Sequence, residues 1–348
     1  MRLIRLQDYE QATMELAKPI YDKYHRVLLA EGRAIHPIFV EKLKKLNFQY
    51  IFVEDAISQG ITMEEMVDMP TWIDCITQME KVFGKVRRKE EFPLRQLQQT
   101  ANKLVDEVYN RGAIVLIPVT FLSEEVHLYA HSVNVALLSI QLGKKKGYNR
   151  VKVRDLALGG LLHDIGKVLG DESESHAVRG FNYLRNMQEV SLVAAHVAFQ
   201  HHEHEDGSGT PRGLKADLIH EFAQICAIAD LYDHLLSDHF YPPHIALEYI
   251  MTKSGTWFNA ELVKLFVQEV PFYPPGTRVK LNTKEEAIVT KINKNVQRPH
   301  IRILHNNKEI ALVDSPSIII TKVMVEQEKI LNTYMKELNQ DDRQNRHT

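Results

Sequence analysis

Histidines and carboxylates stand in this sequence at spacings that suit a metal centre. His127, His131 and Asn134 fall at i, i+4 and i+7 of a helical stretch and share one face. The apolar run VRDLALGGLL ends on His163-Asp164, and Lys167 follows within the string HDIGK. Burying an adjacent imidazole and carboxylate without a strong partner is costly, so a metal is expected there. His176 comes next, then EVSLVAAHVAFQ leads into His201-His202-Glu203, and EFAQICAIAD ends on Asp230 with Asp233 one turn later. Four elements thus bring nitrogen and oxygen donors on apolar supports. Mixed imidazole and carboxylate sets suit Fe, Mn, Zn or Co better than Ca or Mg, and a shared carboxylate holds two ions close together. Such a pair activates water and clamps the oxygens of an in-line phosphoryl displacement. The expected reaction is phosphoester hydrolysis, with Asp164 central to it and Lys167 offsetting charge on the phosphate.

A single histidine is more often packed or solvated than a ligand, so the argument rests on the set. Of the 17 histidines, 12 lie between His127 and His244, where an even spread would place about six. His196, His204, His220, His234 and His244 fall off the pattern and are read as core-edge or solvated residues. Cys226, in an apolar helix, is read as a small core residue.

HDIGK, HHEHEDGSGTPRGL at 201–214 and AIAD at 227–230 together resemble the HD-GYP branch of the HD-domain phosphohydrolases. The likeness covers roughly 123–270, and the string HHE-x-x-DG-x-G-x-P is far more specific than an isolated His-Asp pair. It implies a helical domain with a two- or three-metal centre that hydrolyses cyclic dinucleotides, chiefly cyclic di-GMP, to the linear dinucleotide or GMP. The ligands it implies are His131, His163, Asp164, His176, His201, His202 and Asp230, with Asp164 bridging two metals. Lys167 would lie by the scissile phosphate and Asp233 behind the ligands, with His239 and Tyr241 near the substrate.

Four positions depart from the pattern. Thr210 replaces the Tyr of GYP, between Gly209 and Pro211, which still set the turn. His239 and Pro242 stand where the family places two phosphate-binding cations, which weakens the cyclic di-GMP inference more than the metal inference. His127 occupies the position of a third-metal Glu; imidazole can ligate but brings no negative charge, so two ions, Fe or Mn, are expected rather than three. The connection from Asp164 to His176 is short, so a more open site is expected. Two other readings stand beside the cyclic dinucleotide phosphodiesterase: a signalling or binding module of the same fold, and a phosphohydrolase acting on another nucleotide.

The elements that must position these residues are mainly α-helical. Residues 1–60 read as a small α+β module and 61–122 as a helical connector. The catalytic helices span 123–270, 275–325 hold five short strands, and 326–348 form a polar tail. In the connector, Leu94, Leu97, Ala101, Leu104, Val105 and Val108 form one stripe, which suits a connecting bundle or a homodimer contact. The chain has 348 residues, 44% hydrophobic and 25% charged, as in soluble globular proteins. A formal net charge of −2 leaves no basic excess for polymeric nucleic acid. No stretch is long and apolar enough to span a membrane. Two distant cysteines, Cys75 and Cys226, and an N-terminus without a signal-peptide core lead to the expectation of a cytoplasmic protein.

Overall fold

The computed structural model describes residues 1–22, 24, 26–91, 94–111, 115–116, 122, 126–170, 173–187, 190–237 and 241–324. His239 and the tail at 326–348 lie outside these residues. The chain is mainly α-helical, with small sheets toward both ends.

The N-terminal part builds β1 (Arg2–Arg5), β2 (Glu15–Leu16), β3 (Ile20–Tyr21), β4 (Val27–Leu29), α1 (Pro37–Lys45) and β5 (Tyr50–Glu54). β5 lies between β1 and β2, antiparallel to both, with Arg2 opposite Val53 and Arg5 opposite Tyr50. Leu6, Leu16, Ile20, Leu43, Ile51 and Val53 close a small core of their own. Helix α1 starts cleanly because His36 accepts from the Ile38 amide and Pro37 supplies a preset φ at the first turn.

The helical part comprises α2 (Met69–Arg87), α3 (Leu94–Asn110), α4 (His127–Lys145), α5 (Arg150–Leu162), α6 (His176–Leu184), α7 (Leu192–Gln200), α8 (Glu221–Ser237), α9 (Pro243–Thr252) and α10 (Ala260–Glu269). One continuous apolar cluster runs through it from Phe52 to Val270. The helical connector is expected from residue 61, but α2 begins at Met69, where Asp68 accepts from the Thr71 amide and fixes the start. Every residue of the α3 stripe is buried, and α3 packs against α4 and α5 of the same chain. Cys75 and Cys226 are buried free thiols. Burial pushes the Cys75 thiol up to about 12 and Cys226 well above the ordinary range.

Helix α5 runs through the centre of this part, against α3, α4 and α7. Its Gly159-Gly160 pair explains how three helices come so close. A Cβ on Gly160 would lie 2.8 Å from Ala136 Cα in α4, and one on Gly159 would lie 2.8 Å from a Val197 methyl in α7. With no side chain at either position, α4 and α7 close on α5, and the residues that end or flank these helices meet at one point.

After the 271–277 linker, β6 (Arg278–Leu281), β7 (Glu286–Lys291), β8 (His300–Ile303), β9 (Glu309–Ala311) and β10 (Ile320–Val323) form one sheet in the order β10-β6-β7-β8-β9. Val279, Leu281, Val289, Ile301 and Ile303 fill its core. The parts are tied by polar contacts. Lys18 and Glu65 form a buried ion pair, the N-terminal ammonium donates to the Ser58 and Ile61 carbonyls, and Arg302 donates to the Gln59 carbonyl at 2.9 Å. A cleft of about 570 Å³ lies between β1, β5, the start of α9, the proline linker and β10. Among the described residues no helix is long and apolar enough to cross a membrane.

Candidate metal centre

The centre is assembled from five helices and the loops that follow them. His131 projects from the second turn of α4, and His163 directly follows α5 with Asp164 next to it. His176 is the first residue of α6, placed by Ser175, whose hydroxyl accepts from the Val178 amide. His201 and His202 follow α7, and Asp230, Asp233 and His234 share one face of α8.

Backbone carbonyls fix two of the rings. His163 Nδ1 donates to the Gly160 carbonyl at 2.7 Å, and His201 Nδ1 donates to the Ala198 carbonyl at 3.0 Å. Each contact leaves Nε2 as the nitrogen turned inward, the usual arrangement of a ligating imidazole. The inward nitrogens then face one another. His131 Nε2 lies 3.2 Å from His163 Nε2, while His176 Nε2 lies 3.0 Å from His202 Nε2 and 3.3 Å from His201 Nε2.

Asp164 stands between the two nitrogen groups and is almost fully buried. Its Oδ1 is 3.3 Å from His176 Nε2 and 3.9 Å from His201 Nε2. Its Oδ2 is 3.5 Å from His163 Nε2 and 3.8 Å from His131 Nε2. Lys167 Nζ approaches Oδ2 to 2.5 Å, yet Oδ2 receives no hydrogen bond of proper geometry. Asp230 Oδ1 lies 3.0 Å from His131 Nε2, 3.3 Å from His234 Nε2 and 3.5 Å from His163 Nε2.

Charge divides this centre into two halves. Burial opposes protonation of His163, but Asp164 and Asp230 outweigh it and push the ring up to about 10. Burial likewise opposes protonation of His131, and Asp230 and Asp233 again prevail to raise it. On the other side burial dominates: it lowers His176 to about 4, holds His201 well below the ordinary value and lowers His202. Asp164 is held well below the carboxylate range; burial alone would raise it, but the charges of His163 and Lys167 prevail.

The donor set fits divalent transition metal. His176-His201-His202, His131-His163-Asp164 and His131-Asp230-His234 each offer three ligand atoms lying within 4.8 Å of one another. Nitrogens that face each other at about 3 Å, beside a buried carboxylate oxygen lacking a proper hydrogen bond, are groups that a shared cation would satisfy.

The structure brings together His131, His163, Asp164, His176, His201, His202 and Asp230, with Lys167 at the edge and Asp233 behind His131. His127 does not join them. It opens α4, and its Nε2 lies 3.3 Å from the Leu122 carbonyl, outside all three ligand groups. Convergence of His127 with His131 on one helical face is thus not realised, because the first residue of the helix turns its ring toward the preceding chain. His234, read from sequence as core-edge or solvated, is corrected: its ring lies 4.3 Å from that of His131 and it shares Asp230. The signal was its i+4 spacing from Asp230 on α8. Tyr241 is buried in the apolar cluster, and its amide donates to the Leu235 carbonyl. It lines the junction cleft, which also touches Asp233 but none of the seven converging residues.

The loop after α7 is shaped by Glu203. This buried carboxylate accepts from the Arg212 amide at 2.8 Å and the Leu214 amide at 2.7 Å, so it holds the 203–214 segment folded beside His201 and His202. The Thr210 amide donates to the His202 carbonyl, and the Thr210–Pro211 peptide is cis. His204 turns away from the centre and stacks on Trp257. Glu203→Ala would leave two amides without their partner, and we expect it to cost about 3 kcal/mol of stability. Urea unfolding measures this; a change below about 0.5 kcal/mol would show that the loop does not need Glu203.

Residues 128–235 match the HD domain family, and this segment is an HD domain. The HHE-x-x-DG-x-G-x-P string at 201–211 lies within this segment. The chain is 30% identical over 212 residues to the cyclic di-GMP phosphodiesterase PA4108 of Pseudomonas aeruginosa, covering 54% of this chain and 51% of that protein. It is 30% identical over 195 residues to a cyclic di-GMP phosphodiesterase of Thermotoga maritima, covering 49% and 53%. It is 33% identical over 138 residues to the 3'3'-cGAMP-specific phosphodiesterase 1 of Vibrio cholerae, covering 35% and 32%. The chain spans about half the length of the first two of these relatives.

Proposed function

We propose that this protein is a metal-dependent phosphodiesterase that opens a cyclic dinucleotide, with cyclic di-GMP as the leading substrate and the linear dinucleotide or GMP as product. The observation that carries the reading is Asp164, whose two carboxylate oxygens each face a separate histidine group. That is the placement a carboxylate shared by two ions needs. The kinship with cyclic dinucleotide phosphodiesterases supports the substrate class.

In this reading His176, His201, His202 and Asp164 would hold one ion, and His131, His163, Asp230 and Asp164 would hold the other, with His234 beside it. Fe or Mn suits these donors best. When bound, the ions supply an activated water and neutralise charge on the phosphate. The protein's own contribution is positional. The Gly160 and Ala198 carbonyls aim His163 and His201, the Glu203-held loop walls the site next to His202, and Lys167 brings a cation to the edge of the centre. The Lys167 side chain is 36% exposed, so substrate can reach it, and its ammonium can offset charge developing on the scissile phosphate. We take 123–270 as the unit that carries this activity, with 1–60 and 275–325 as attached modules.

A second reading is favoured by the kinship with the Vibrio cholerae 3'3'-cGAMP-specific phosphodiesterase, which points to that cyclic dinucleotide as the substrate. The test is metal analysis of protein purified without chelator, coupled to chromatographic assays of cyclic di-GMP and 3'3'-cGAMP with Mn or Fe supplied anaerobically. Two ions per chain and conversion of cyclic di-GMP to the linear dinucleotide are expected. Faster conversion of 3'3'-cGAMP would select the second reading, and bound metal with turnover of neither would sink both.

A further inference from the structure

Trp72 lies in α2, well before the segment that matches the HD domain, and it is completely buried. Its Nε1 donates to Asn134 Oδ1 at 3.0 Å. Asn134 Nδ2 donates to Asp233 Oδ1 at 2.8 Å, and the other carboxylate oxygen, Oδ2, accepts from His131 Nδ1 at 2.8 Å. All four side chains are buried.

The polarity of this chain of contacts is set at its far end. An indole can only donate, whereas an amide can turn either face. Trp72 therefore forces Asn134 to present its oxygen to α2 and its NH₂ to Asp233. The carboxylate so fixed accepts the hydrogen bond from His131 Nδ1–H and leaves Nε2 as the nitrogen turned toward Asp230 and His163. Without the indole, Asn134 can flip and place its oxygen against the Asp233 carboxylate, a repulsive contact between two buried groups. Outer partners of this kind orient ligating imidazoles and tune their basicity.

We infer that Trp72 is a positioning residue for the metal centre, acting on His131 through Asn134 and Asp233, so that the connector helix α2 is part of the machinery rather than a spacer. The segment that leads into α2 is tied to the N-terminal module by the buried Lys18–Glu65 pair and by Phe52, which shares the apolar cluster with Met66, Val67 and Trp72. This inference rests on the metal-centre reading above.

Cobalt(II) titration followed by visible absorption tests it without reference to turnover. The proteins are the parent, Trp72→Phe, Asp233→Asn and the double variant, all as full chains. Trp72→Phe is expected to bind cobalt about tenfold more weakly and to shift the visible band. The double variant should lose no more affinity than Asp233→Asn alone, because both act through one contact. A folded Trp72→Phe protein with the parent's affinity and band overturns the inference, as does strict additivity in the double variant. Should Trp72→Phe fail to fold, nitrogen-15 spectra of the parent decide. There are two tryptophans, and Trp257→Phe identifies the Trp72 indole N–H. That signal should be protected from solvent exchange and should move when zinc saturates the protein; a signal indifferent to zinc overturns the inference. A parent protein that takes up neither cobalt nor zinc overturns the metal reading itself and this inference with it.

Discussion

Asp164→Asn is expected to cost the protein at least one bound ion and to lower hydrolysis about a thousandfold or more. The substitution keeps the shape of the side chain, so the surrounding helices need not repack. It removes the negative charge that faces both histidine groups and replaces one oxygen with an NH₂ that repels a cation. Whichever way the amide turns, either the His176 side or the His163 side loses its oxygen donor. Lys167, 2.5 Å from Oδ2, also loses its countercharge, which adds repulsion toward any ion nearby. Metal content and turnover measured on one preparation, with circular dichroism to show that the helices persist, check this outcome. A variant that kept both ions and full turnover would remove Asp164 from the centre.

Gly166→Ala should be the most damaging single methyl group in the molecule's centre. The glycine of HDIGK lies against the start of α6, and a Cβ there would stand 1.9 Å from the His176 carbonyl oxygen and 2.8 Å from the Gly180 amide nitrogen. Both obstacles are backbone, so neither a rotamer change nor a small tilt relieves the clash. Helix α6 must move away, and it takes His176 with it. We expect a loss of about 3 kcal/mol in unfolding free energy, together with weaker metal retention on the His176-His201-His202 side. Gly170→Ala is the control, four residues along in the same connection, where a Cβ would meet nothing within 4 Å. Thermal unfolding of the two variants side by side settles the point; equal midpoints would mean that the close approach at Gly166 is not needed.

The ligand types and the helices that carry them are legible in the sequence. Histidines and carboxylates at the ends of apolar helices have few packing reasons to be there, and seven of them converge as their spacing and kinship suggest. Single positions on those helices are less legible. His127 lies one turn from His131, and its spacing predicts the same face, yet its ring contacts the Leu122 carbonyl. His234 is read as peripheral, yet it joins Asp230, as its i+4 spacing on α8 allows. The His127 difference arises from side-chain direction at the helix start, which periodicity does not specify. The apolar stripe of α3 suits either an internal bundle or a dimer contact, and the structure buries it against α4 and α5.

The sequence by itself determined the donor inventory, the helices that present it and the loop string that marks the class, because these depend on residue type and short-range spacing. The tertiary structure alone decided which oxygen of Asp164 faces which histidines, how Gly159 and Gly160 admit α4 and α7 to one point, and that Trp72 reaches His131 through two intermediaries. The last of these joins residues far apart in the chain, with Trp72 62 residues from Asn134 and Asn134 99 from Asp233. Such contacts are fixed by how helices close on one another, and close packing of that kind depends on volumes and backbone approach that no local pattern records.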